Sequence, residues 1–115
     1  MARYTSLFTV AVSLDRFRQA LTDILRSCDF DVIYDTEDYL VAREVPGNVS
    51  FAKLVTVEVL IDRYPTTDKE VRMNFVVKNE ELPLHNNNHC RRMFNLVNRA
   101  VTENRQWQLI ESVAS

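Results

Sequence analysis

His85, His89 and Cys90 are the side chains of this chain whose types and spacing come nearest to chemistry, because two imidazoles and a thiol could hold zinc if all three turned to one point. Two histidines four apart share a helix face only where the helix has already begun at the first of them. Pro83 and the run Asn86 to Asn88 put the start later, since asparagine side chains suit a helix cap. The expectation is therefore a capping loop, with Cys90 in the first turn facing the core, both histidines partly exposed, and no metal or other cofactor. Cys28 and Cys90 lie at the end of one helical stretch and the start of another; two cysteines without a secretory leader are expected to be reduced thiols in a cytoplasmic protein.

Two charged groupings remain. Asp29, Asp31, Asp35, Glu37 and Asp38 border a turn and read as a solvated acidic edge, although paired carboxylates elsewhere divide acid and base work when burial separates their pKa values. Arg91, Arg92, Arg99 and Arg105 give the last helix a basic side suited to an anion or a partner's carboxylate. A phosphate-binding glycine loop and a nucleophile elbow are both missing from the sequence.

The elements that must position these residues are legible from periodicity. The chain has 115 residues, 46% of them hydrophobic and 26% charged, with one glycine and three prolines, which fits one globular domain over 1–115. A formal charge of −2 disfavours nucleic acid, whose binding rests on many Lys and Arg, and no apolar run is long enough to span a membrane as a helix. Phe8, Val10 and Val12 alternate with Thr9 and Ala11 in a first strand. Leu14, Phe17, Leu21, Ile24, Leu25 and Cys28 then recur at helical spacing behind Ser13, an N-cap residue type. Two short strands follow, centred on Val32 and Val41, and Pro46-Gly47-Asn48 marks a turn. From Phe51 to Arg63 a long strand is predicted, with Phe51, Val55, Val57, Val59 and Ile61 on one parity and Ala52, Leu54, Thr56, Glu58, Leu60 and Asp62 on the other. Tyr64-Pro65 closes it, a further strand carries Val71, Met73, Phe75 and Val77, and Leu82-Pro83-Leu84 ends the sheet. The final helix is expected to run from Met93 and Phe94 through Val97, Ala100 and Val101 to Trp107 and Ile110.

The element order is then β-α-β-β-β-β-α, an α+β fold with a five-stranded antiparallel sheet and two helices on one face. It resembles a single repeat of the TATA-box-binding-protein fold, in which the first strand pairs with the last; no activity follows from that likeness. Glu58, Asp62 and Asp35, on or near the open sheet face, would repel DNA. The stretch Cys28-Asp29-Phe30-Asp31-Val32-Ile33-Tyr34-Asp35-Thr36, with Val55 to Arg63, resembles a family of small uncharacterised cyanobacterial proteins. That resemblance implies a cytoplasmic protein near photosynthetic machinery and carries no catalytic signature.

Two functional readings stand at this point. The first is a non-enzymatic interaction or assembly module whose open sheet face, bearing Leu7, Ile33, Leu54, Leu60 and Val76, pairs with another protein or with itself as a homodimer. The second is a small-molecule binder or enzyme with a pocket between sheet and helices, where Tyr34, Tyr39, Arg43 and Trp107 supply the polar handles.

Overall fold

Alternating and helical stripes in one short chain can be buried together only by stacking helices on a sheet, and the computed structural model, which describes residues 1–62, 69–82 and 84–114, has that layering. The elements in order are β1 (Ala2–Ala11), α1 (Leu14–Ser27), β2 (Phe30–Asp35), β3 (Tyr39–Glu44), β4 (Thr56–Ile61), β5 (Glu70–Asn79), α2 (His89–Glu103) and β6 (Gln108–Ala114). Among the described residues, six strands form one antiparallel sheet in the order β2-β3-β4-β5-β1-β6. Both helices pack on the same face: α1 meets β2 and β5, and α2 meets β1 and β5. Between the layers Phe17, Ile24, Val57, Phe75 and Val97 share one core, and Phe8 meets Phe75 edge to face at 5.5 Å.

The sheet has six strands, not the five expected, and the extra one comes from the C-terminal segment read as helix. The helical stripe through Val97 and Val101 would next bury positions 104, 105 and 108, which are Asn104, Arg105 and Gln108, so nothing apolar holds a further turn. At Asn104 the backbone leaves the helix (φ −66°, ψ 131°). Trp107 then folds back to stack on Phe17 at 6.0 Å and donates its indole N–H to the Val101 carbonyl, and the chain continues extended. The added strand departs from the five-stranded repeat of the TATA-box-binding-protein fold.

A second correction concerns the long strand. Its regular part is Thr56–Ile61; Phe51–Lys53 form a single 3-10 turn, and Phe51, expected on the core parity, is 82% exposed. From Val55 onward the parity holds, with Val55, Val57, Val59 and Ile61 all buried. The expected strand end at Arg63 and Tyr64-Pro65 and the turn residue Pro83 lie outside the described residues. Ser13 does occupy the cap position of α1, yet its carbonyl, not its hydroxyl, receives the Arg16 and Phe17 amides, and Leu14 of the expected stripe is half exposed. The helix stops at Cys28 and Asp29, the latter at φ 64° in the left-handed region that ends many helices.

Candidate functional site

Register alone assigns the two sheet faces, since successive side chains point opposite ways. On the face away from the helices, Tyr39 stands opposite Leu60, Leu60 opposite Asn74, Asn74 opposite Leu7, and Leu7 opposite Val113, so one mostly apolar row crosses five strands. Leu60 and Val113 are each 47% exposed, and Leu7 and Leu60 help line a shallow depression of about 240 Å³ with Arg72 and Asn74. Tyr34 sets its ring edge against Tyr39, 5.9 Å away. Beyond the apolar row, toward the start of β1, lies the basic row Arg43, Thr56, Lys78 and Arg3. At the opposite end of the same face are Glu70 and Glu111 with Asp62 and Arg72, a more acidic set.

Glu58 sits between these regions. Its carboxylate pairs with Lys78 and accepts a 2.8 Å hydrogen bond from the Tyr39 hydroxyl. Lys78 is the main reason its carboxyl is held below the usual range, while the bond to Glu58 is what raises the Tyr39 phenol.

Of the five residues expected on this surface, Leu7, Leu60 and Ile33 keep accessible area. Ile33 is the residue skipped at the irregularity in the β2–β3 pairing and is 58% exposed. Leu54 and Val76 are buried by the chain's own side chains, outside the main core cluster. A charge at Leu54 would therefore be buried in the fold, and tests of the surface belong at Leu60 and Leu7. Asp35 does not lie on the open face as expected: its carboxylate pairs with Arg18 of α1, on the helix side. Val113 follows the helical stripe that ends at Ile110 and carries no period of its own, so spacing does not place it in a strand.

The histidine and cysteine expected near the start of the last helix occupy a different kind of site. His89 is buried, contrary to the partial exposure expected, and its Nε2 lies 2.9 and 3.0 Å from the two carboxylate oxygens of Glu44 at the end of β3. Glu44, only 4% exposed, also accepts the Val55 amide. Asn88 caps α2 by accepting the Arg91 N–H, as the asparagine run suggested. Glu81 completes the cap: its carboxylate receives the Cys90 N–H at 2.9 Å, the His89 N–H at 3.4 Å and the Asn79 side-chain amide. Burial works against the charge of Glu81, but those three donors outweigh it and its pKa falls below the ordinary value. A folded-state pKa below the unfolded one stabilises above the ordinary carboxylate range of about 4 and is lost as pH falls through the folded value. Acid titration of Glu81→Gln, followed by far-UV circular dichroism, should therefore show a shallower loss of stability below about pH 4 than the parent protein; an unchanged acid limb counts against the cap.

Cys90 is buried as expected, its Sγ directed at the Ala2 and Val77 carbonyls, and desolvation pushes its thiol up to about 12. Burial raises the Cys28 thiol as well. Both cysteines are free and buried, and His85 is exposed on the loop before the cap. Among the described residues, no three His, Cys, Asp or Glu side chains gather as metal donors. A reductant and a chelator should each leave the melting temperature unchanged, and iodoacetamide should label neither thiol until the protein unfolds. A drop in melting temperature on either treatment would reveal a bond or metal holding the fold.

The four arginines have separate surroundings. Arg91 lies over the rings of Tyr4 and Phe94 at 5.2 and 5.6 Å, Arg92 donates to the Asn87 carbonyl, Arg99 is exposed, and Arg105 stands beyond the helix in the turn before β6. The sheet divides the residues of the second reading: Tyr34, Tyr39 and Arg43 lie on the open face, whereas Trp107 is in the core behind it.

No protein-family model and no curated protein matches the chain. No helix among the described residues is long and apolar enough to cross a membrane.

Proposed function

We propose that the protein is a non-enzymatic assembly module that pairs with a second copy of itself through the open sheet face. The observation that carries this reading is the apolar row Tyr39, Leu60, Leu7 and Val113, flanked by a basic row at one end of the face and an acidic group at the other. An apolar centre with a charged rim is the anatomy of a protein interface. The polarity of the rim selects the partner. When two copies meet face to face about a two-fold axis across the strands, Arg3 and Arg43 of one lie over the acidic end of the other. Against chemistry stands the scattering of the reactive candidates: His85 outside, Cys90 inside, and Glu44 and His89 already bonded to one another.

Sedimentation at about 100 μM, a concentration that populates a dimer of micromolar Kd, should return twice the monomer mass. Leu7→Asp with Leu60→Asp should return the monomer, because an unanswered charge at an interface centre costs several kcal/mol, while the circular dichroism spectrum stays the same. Salt should weaken the dimer, since its rim charges are exposed. A wild-type monomer at that concentration, or a folded double variant that keeps the dimer mass, overturns the proposal.

A further inference from the structure

The turn that carries Arg105 brings it to a residue that no sequence pattern linked with it. Arg105 lies between α2 and β6, Arg16 in the first turn of α1, and together with Asp15, Gln19 and Gln106, all five exposed, they line one open hollow of about 380 Å³ on the helix side of the molecule. Neither guanidinium makes an ion pair or a side-chain hydrogen bond among the described residues. Two like charges thus border one hollow from separate elements.

The remaining lining is held in place. Asp23 accepts the Gln19 side-chain amide at 2.8 Å and the Gln106 side-chain amide at 3.3 Å, so both amide nitrogens are engaged and both carbonyl oxygens stay available as acceptors. Asp15 adds a carboxylate.

From these donors and acceptors we infer that the cavity binds a small hydroxylated phosphate ester of the sugar-phosphate class. The two guanidinia match the phosphate oxygens, for which arginine's fork of donors is suited. Asp15 and the two glutamine carbonyls accept from sugar hydroxyls, which an inorganic anion lacks. The site lies on the helix side and is independent of pairing through the open face.

Trp107 is the chain's one tryptophan; it adjoins Gln106 in sequence and stacks on Phe17, the neighbour of Arg16, which makes its emission the optical readout. Titrating the full chain with glucose 6-phosphate should change that emission saturably, with calorimetry as the second readout. Inorganic phosphate should bind at least about tenfold more weakly and glucose not measurably, as expected when hydroxyl and phosphate contacts each contribute about a factor of ten or more. Arg16→Ala and Arg105→Ala should each weaken the sugar phosphate about tenfold or more, while Arg99→Ala, exposed on α2, changes nothing. No saturable binding by either readout, equal affinity for inorganic phosphate, or folded Arg16 and Arg105 variants with parental affinity would each overturn the inference.

Discussion

Replacing Glu44 with alanine will lower the free energy of unfolding by about 3–5 kcal/mol, the range seen when one partner of a buried ionic or hydrogen-bonded pair is removed. The carboxylate is 4% exposed, lies within 3.0 Å of His89 Nε2 through both oxygens, and accepts the Val55 amide. Its loss strands an imidazole N–H and a backbone N–H where β3, the start of β4 and α2 come together. Urea denaturation measures the cost, and Glu44→Gln, which keeps an acceptor, should lose less. A change for Glu44→Ala within about 0.5 kcal/mol, the scale of ordinary surface substitutions, would mean that water replaces the pair at no cost.

Truncating Phe17 to alanine should be comparably severe, about 3–5 kcal/mol, through the transfer free energy of the ring and the cavity left behind. Phe17 is 2% exposed and stacks on Trp107, so the damage extends beyond α1: the indole that anchors the turn into β6 loses its neighbour. Tryptophan emission should shift to the red along with the fall in stability. Phe17→Leu refills part of the space and should cost less. An alanine variant with parental stability and emission would place Phe17 outside the core.

Much of the layering was legible because burial imposes a period. Phe17, Leu21, Ile24 and Leu25 repeat as a helix must, and Val55, Val57, Val59 and Ile61 repeat as a strand must, so both faces followed from spacing. Two failures share a cause: apolar residues can satisfy a period without being in its element. Trp107 lies seven residues after Ala100 and Ile110 three after Trp107, both helical spacings, and only the polar residues at 104, 105 and 108 betray the end of the stripe. Phe51 has the right parity for a strand it never joins. The candidate sites were less legible still, because each depends on residues distant in the chain. Leu7 and Leu60 become neighbours across Asn74, His89 finds Glu44, and Arg105 finds Arg16 only after the sheet and helices are assembled.

The place of β1 in the sheet has a consequence for how the protein is made. β1 precedes both of its sheet neighbours in the chain and sits between β5 and β6, pairing Ala2 with Asn79 on one side and Ser6 with Ala114 on the other. While the nascent chain grows, Phe8 and Val10 can find neither neighbour, whereas the consecutive strands β2, β3 and β4 can already pair as a meander. Closing the sheet joins residues as far apart in sequence as Ser6 and Ala114, a non-local step of the kind that slows folding. Until then β1 is an unpaired apolar strand, open to other chains emerging nearby, and this early segment is where a chaperone would be needed most.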